Sequence, residues 1–307
     1  MVRFIGQRLV TTVPVLVGIS LLVFLILYLM PGDPAQTLLF GTNATPAQVA
    51  ALHHQLGLDK PLYVQYVDYV GRLLRGNLGE SFVSQQRVGS VIMAQFPATV
   101  RLTIAGMLVA LLVGFPTGIL AAVRRGTWLD SLASGVSFLG VAIPNFWLAV
   151  LLILIFSVKL NVFPVLGQGS LRAIILPAIS LGWGFAAIIT RLVRASMIEV
   201  MNQPYITTAR AKGLSGQIVI VRHALKNAVI PVVTILGLQI ANLLSGAVVV
   251  ESIFARQGIG SLAVRAILAK DVPLIQGIVI FVAVIYVLLN LLVDITYAFL
   301  DPRIRYG

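Results

Sequence analysis

Six runs of uncharged, mostly apolar residues leave this chain few ways to fold. Residues 9–32, 102–123, 131–158, 173–190, 227–250 and 272–293 contain no Asp, Glu, Lys or Arg. Each is close to the ~20 residues that a helix needs to cross a ~30 Å hydrocarbon core. The whole chain is 59% hydrophobic and 10% charged, with a mean hydropathy of +1.00. Soluble domains carry about a quarter charged residues, so the expectation is an all-α polytopic membrane protein with six transmembrane helices. A seventh uncharged window, 34–58, holds Pro34, Pro46, His53 and His54 and is expected to face water.

The 22 Lys and Arg residues give the orientation. With the N-terminus inside, twelve fall on the inner side: Arg3, Arg8, Arg124, Arg125, Arg191, Arg194, Arg210, Lys212, Arg222, Lys226, Arg303 and Arg305. Five (Lys159, Arg172, Arg256, Arg265 and Lys270) fall in short outer segments. The other five fall in or at the edge of the first loop, which at about seventy residues is too long to count under the positive-inside rule. Both termini are therefore expected in the cytoplasm. The net charge of +12 belongs to this topology; no aromatic-plus-basic segment suits nucleic acid. Cysteine is absent, which removes disulfides, thiol catalysis and cysteine metal sites.

Local signals divide the chain into a first helix (1–30), an extracytoplasmic helical segment (31–100) and a core (101–307). The first apolar run is too long for a cleaved signal peptide and lacks a small-x-small site before Pro31. In the outer segment, Thr45-Pro46-Ala47-Gln48 reads as a capping box, with Gly57 as the stop. Leu62, Tyr66, Val70 and Leu73 recur at helical spacing before Gly76. His53 and His54 point to different helix faces and make a poor chelating pair. Gly114-Phe-Pro-Thr-Gly118 has the small-xxx-small spacing of close helix contacts. Pro144-Asn145 should kink the third span. The fourth is expected to begin near Pro177 and to end at Arg191 and Arg194, cations suited to a helix C-terminus.

The stretch from Tyr205 to Lys226 (YITTARAKGLSGQIVIVRHALK) carries Arg210, Lys212, Arg222 and Lys226 and no acid, within an inner loop at about 195–228. Pro204 can open a short helix that Gly213 ends, and an amphipathic helix should follow over Gln217–Lys226. Small residues, Ala209, Ala211 and Gly213, alternate with the charges, so another protein's surface can approach this backbone closely. In the fifth span Gln239, Asn242 and Ser245 share one helix face and are candidates for a hydrated translocation path. In the sixth, Tyr286, Asn290 and Asp294 are aligned, and Asp294 is expected to pair locally. No catalytic or metal constellation is found. None of the five lysines follows glycine, so the chain has no Walker-type ATP site. The six spans carry almost none of the midplane charges that proton-coupled carriers use.

YITTARAKGLS…VRHALKNAVIPVVT resembles the cytoplasmic loop of binding-protein-dependent ABC importer permeases. The chain is more narrowly similar to the first ("B"-type) permease of the dipeptide, oligopeptide, glutathione and nickel family. PGDP (31–34) with LGLDKPLYVQY (56–66), GLQIANLLSGAVVVESIF (237–254) with GIG (258–260), and NLLVDITYAFLDPRIRY (290–306) carry the same resemblance. Pro204 stands where the family often has an acid, Gln257 where it has proline, and Val272 where it has an aromatic residue. The resemblance implies the type I importer architecture in a bacterial or archaeal plasma membrane. It also implies a homologous second permease as heterodimer partner, two cytoplasmic ATPases that bind ATP and Mg, and an extracytoplasmic binding protein. Carried over by position, the coupling segment is Tyr205, Thr207, Thr208, Ala209, Arg210, Ala211, Lys212 and Gly213. The chain itself would need no cofactor, and di- or oligopeptides are the expected cargo. An autonomous channel or secondary carrier is the alternative, and a scaffold without a solute path a third.

Overall fold

In the computed structural model, residues 2–29, 45–55, 57–165 and 170–300 are described, and among them every regular element is a helix. In order they are α1 (Val2–Leu29), α2 (Pro46–Gln55), α3 (Leu62–Leu74), α4 (Val88–Val123), α5 (Trp128–Ala142) and α6 (Asn145–Leu152), which continues as a π-helical segment, Ile153–Lys159. Then follow α7 (Leu171–Met201), α8 (Pro204–Ala211), α9 (Gly216–Ile218), a π-helical segment Val219–Ala224, α10 (Leu225–Ala228), α11 (Ile230–Ile253), α12 (Ile259–Leu268) and α13 (Val272–Leu300). Pro31–Pro34 and the residues after Leu300 lie outside the described part, as does the side chain of Asp294.

The described residues of the six charge-free runs are helical, apart from breaks at Ile143–Pro144 in the third and Val229 in the fifth. By length and composition, α4, α7 and the described part of α13 can each cross a membrane, and α5 with the α6 segment forms a fourth candidate bent by 104°. The described apolar parts of α1 (Val10–Leu25) and α11 (Asn242–Ile253) are shorter. The break at Pro144 is therefore far sharper than a kink. Pro144 takes an extended backbone and Ile143 N–H still bonds Leu139 O at 2.9 Å, so the chain turns between two complete helix ends.

Two expected boundaries need correction. The fourth span does not start at Pro177: Ser170 caps α7 through Ala173 N–H, and Pro177 lies within the early turns of α7. Nor does it end at Arg191 and Arg194, because α7 continues to Met201. Arg194 instead grips Asp130 with two hydrogen bonds of 2.6 and 2.9 Å, and Asp130 also accepts from Gly126 N–H at 3.0 Å. A bidentate pair to a buried carboxylate competes well with a helix dipole. The expected helix over Gln217–Lys226 is helical but interrupted by the π-helical turns at Val219–Ala224.

The chain divides into two compact units, Met1–Gln95 with Leu262–Leu288, and Phe96–Ser261 with Leu289–Gly307. In the first, α3 packs on α1 through Val23, Phe24 and Tyr69, and Gln276 donates to Val23 O at 3.0 Å. The capping box forms as its spacing indicates: Thr45 N–H donates to Gln48 Oε1 at 2.8 Å. Gly57 and Gly76 take φ of +68° and +74° at the two helix ends. Asp271, 1% exposed, accepts from Phe82 N–H at 3.0 Å and from the Ser81 hydroxyl, which fastens the segment after α3 to the start of α13.

In the second unit α4 lies against α7 along the glycines. A Cβ on Gly114 would stand 2.8 Å from both Ala186 O and Ile189 Cβ, and one on Gly118 2.7 Å from both Thr190 O and Val193 Cβ. The backbones touch there, and the Thr117 and Thr190 hydroxyls bond at 2.7 Å. In lipid, where burial of apolar area gives no drive, such contacts hold helices together. Gly118→Val should therefore destabilise the fold by about 2 kcal/mol or more, the cost of an overpacked core. A lowered unfolding temperature in detergent is the expected result, and an unchanged one would exclude the contact.

Candidate functional site

The basic elbow is built on α8. Pro204 occupies the first helical turn, where its missing N–H is no loss, after Gln203 in extended conformation. The helix closes on Gly213 at φ +76°, with Gly213 N–H bonding Arg210 O at 2.9 Å and Leu214 N–H bonding Ala209 O at 3.4 Å. These two bonds are a Schellman closure, which needs a left-handed residue after the cap and so favours glycine. A side chain added at Gly213 would meet nothing within 4 Å, so backbone conformation alone demands glycine within this chain.

The short helix has two faces. Ile206 (0% exposed) and Ala209 (7%) enter a core formed by Val193 and Met197 of α7, Val219, Ala224, Ala228 and Val232. Thr207, Thr208, Arg210, Ala211, Lys212 and Gly213 face outward, together with a Tyr205 that is 41% exposed. Of the eight expected docking residues, seven thus form one exposed ridge and Ala209 supports it from beneath. Tyr205 Oη accepts from Asn227 Nδ2 at 2.8 Å, which ties α8 to α10. The exposed face presents Arg210 and Lys212 with Arg222 and Lys226 close by in sequence, and no acid between Tyr205 and Lys226. An acidic groove on a partner would complement it.

The three candidate path residues on α11 divide differently. Gln239 is 9% exposed and accepts from Asn242 Nδ2 at 3.1 Å, while Asn242 and Ser245 are exposed on the isolated chain. None of them lines the apolar cavity of about 220 Å³ between α4, α5 and α7, whose few polar groups are Thr117, Ser137, Trp183 and Thr190.

Three buried acids escaped the sequence reading. Asp130 and Asp271 have been described. Glu251, 0% exposed, is the third: one carboxylate oxygen accepts from Thr99 Oγ1 at 2.6 Å, and the second from Gly260 N–H at 2.9 Å and Ser261 N–H at 3.1 Å. Thr99 Oγ1 in turn accepts from Ile259 N–H at 2.8 Å. The carboxylate thus occupies the N-terminus of α12, where unpaired N–H groups favour negative charge. Gly258 leaves room for it, since a Cβ there would collide with the Glu251 carboxylate. Arg256, 8% exposed, donates to Ala173 O at 3.1 Å. The signal was an acid at the edge of an apolar run, seven residues before Gly-Ile-Gly. Among the described residues no group of three or more His, Asp or Glu could hold a metal ion, and His54 bonds Asp59 at 2.7 Å.

The described part of the chain is thus a set of helices, several of them apolar and long enough to cross a membrane, with a short helix presented at an exposed basic elbow. The chain belongs to the family of binding-protein-dependent transport system inner membrane components, which it matches over residues 114–306. Residues 1–103 match the N-terminal segment of the same transport-system membrane components. It is 42% identical over 334 residues, 100% of this chain and 99% of the relative, to the di/tripeptide transport system permease protein DppB of Pseudomonas aeruginosa. It is 41% identical over 306 residues to the glutathione transport system permease protein GsiC of Escherichia coli, covering 100% of both. Among solved structures, inward-facing conformations of the MetNI methionine ABC transporter share the fold at a TM-score of 0.59 and 18% identity, covering 69% of this chain and 96% of that one. The chain is a multi-pass membrane permease component of an ABC importer of the peptide and glutathione type.

Removing the Glu251 carboxylate leaves Gly260 and Ser261 N–H without acceptors in a buried site. Glu251→Leu should cost about 2–3 kcal/mol of stability, and Thr99→Ala about 1–3 kcal/mol. Both should lower the unfolding temperature of the purified chain in detergent; wild-type melting by Glu251→Leu would remove the capping role.

Proposed function

We propose that this chain is the B-type permease of an importer for di- or oligopeptides in a bacterial inner membrane. It crosses the bilayer six times with both termini in the cytoplasm, its outer segment covering 31–100 and its transport core 101–307. Twelve inner cations against five in short outer segments support the orientation. The relatives named for di/tripeptide and glutathione transport support a peptide-like cargo. A homologous second permease, two cytoplasmic ATPases and an extracytoplasmic binding protein complete the importer. ATP and Mg are bound by the ATPases, and the permease catalyses no reaction.

One observation carries this reading: α8 offers Thr207, Thr208, Ala211, Lys212 and Gly213 on its outer side while Ile206 and Ala209 anchor it to α7 and to the segments leading to α11. A groove on an ATPase can close on the small outer residues, and any displacement of α8 is passed to the buried cluster. The ATPases supply the free energy because they bind ATP more tightly in one of their two arrangements. Gln239, Asn242 and Ser245 then line the route of the cargo along α11, where the second permease completes the wall.

Uptake of a radiolabelled dipeptide by the complete importer in proteoliposomes tests both parts. Gly213→Val, a β-branched residue at φ +76°, should abolish uptake while membrane insertion stays normal. Gly213→Asn, which tolerates the left-handed conformation, should retain most of it. Equal uptake by wild type and Gly213→Val would contradict the coupling role. Gln239→Leu with Asn242→Leu should cut uptake several-fold; unchanged uptake at normal expression would remove α11 from the path.

A further inference from the structure

A broken span meets the proposed route of the cargo within the second unit. α5 ends at Ala142 and α6 begins at Asn145, the two at an angle of 104°. The break falls at the middle of the uncharged run 131–158. In a membrane, backbone that leaves the helix at mid-depth must be buried in protein or line a water-filled cavity. Pro144 is exposed on this chain and Asn145 is half-buried, so the chain itself does not seal the break.

An uncommitted amide stands there. Pro144 is the cap of α6 and no side chain caps that helix, so capping is not the role of Asn145. The Asn145 carbonyl is fixed by the buried Ser180 hydroxyl, which donates to it at 3.0 Å. Its side-chain Oδ1 and Nδ2 have no hydrogen-bond partner among the described residues, and neither atom is sealed from a water-sized molecule. Two glycines leave the amide its room. A Cβ on Gly184 of α7 would stand 3.7 Å from Asn145 Oδ1, and one on Gly246 of α11 would stand 3.9 Å from Asn145 Nδ2.

Gly246 is what joins Asn145 to the candidate path. It lies four residues after Asn242 and seven after Gln239, on the same stripe of α11. The bond from Asn242 Nδ2 to Gln239 Oε1 leaves Gln239 Nε2 and Asn242 Oδ1 uncommitted among the described residues. From Gln239 to Gly246 the helix rises about 10 Å, the span of about three residues of extended peptide.

We infer that Asn145 is a cargo-contacting residue, whose amide continues the row of Gln239 and Asn242 and hydrogen-bonds the peptide groups of the passing cargo. This rests on the reading of α11 as a wall of the route. A side-chain amide carries a donor and an acceptor and no charge, so it matches a peptide N–H and C=O whatever side chains the peptide bears. Each such bond is worth little net, which suits a conduit that the cargo must leave as well as enter. The row selects for backbone amides and is indifferent to peptide side chains.

The absence of cysteine permits a direct test in the complete importer. Asn145→Cys, Asn242→Cys and Val150→Cys are each treated with a small sulfonated thiol reagent, and the mass added to this chain is measured. Val150 is on α6 about 140° around from Asn145 and is 52% exposed on this chain. Asn145→Cys and Asn242→Cys should be labelled, more slowly during dipeptide transport, and Val150→Cys should not. Asn145→Leu should lower dipeptide uptake about tenfold, the loss of one amide pair with the cargo. Its unfolding temperature should stay that of wild type, because the amide bonds nothing within the described chain. Labelling at Asn242→Cys but not Asn145→Cys overturns this inference and leaves the α11 reading standing; labelling at neither overturns both. Equal labelling at Asn145→Cys and Val150→Cys, unchanged uptake by Asn145→Leu, or a lowered unfolding temperature in that variant also overturns the contact.

Discussion

Ile206 is the contact on which the remainder of the elbow depends. Its side chain is fully buried against Met197, Val193 and Val219, on a helix only eight residues long. Helices that short have no independent stability in water, because nucleation outweighs the few bonds gained. What holds α8 is burial, worth about 1.5–3 kcal/mol for one such side chain, together with the Schellman closure at Gly213 and the Asn227–Tyr205 bond. The result is a small rigid body whose outer face sets the small Thr207, Thr208, Ala211 and Gly213 among the longer Tyr205, Arg210 and Lys212. A push on Thr208 or Ala211 has no soft loop in which to dissipate.

The same cluster reaches two long helices. Val193 and Met197 belong to α7, which is packed on α4 through Gly114 and Gly118, and Val232 belongs to α11, which carries Gln239, Asn242 and Ser245. The Asp130–Arg194 pair holds the turn after α4 to α7 about three helical turns before the elbow. The rows of contact that could carry a displacement from the elbow to α11 are therefore continuous within this unit. Close-packed interiors transmit such shifts and do not absorb them.

Much of this was legible in the chain because lipid imposes a strict grammar. Charge-free runs marked the long helices, and Pro204 with Gly213 marked the ends of α8 to within a residue or two. The Thr45–Gln48 cap and the Gly114–Gly118 spacing were readable for the same reason: each is a local rule with one geometric outcome. What escaped depends on distant partners. Arg194 read as a dipole-stabilising cation because Asp130, 64 residues away, gave no hint of its reach. Glu251 read as a boundary acid because its acceptors and donors, Thr99, Gly260 and Ser261, converge only after folding. The 104° turn at Pro144 was visible as a break, but its size is set by how α5 and α6 pack on α7.

The cysteine-free chain allows a direct measurement of the central claim. A single cysteine placed at Thr208 should crosslink to the ATPase subunit in the assembled importer, with a yield that changes when ATP is bound. It should resist a membrane-impermeant thiol reagent added outside intact cells. Labelling of that cysteine from outside, or its failure to reach any ATPase in an active complex, would contradict the account.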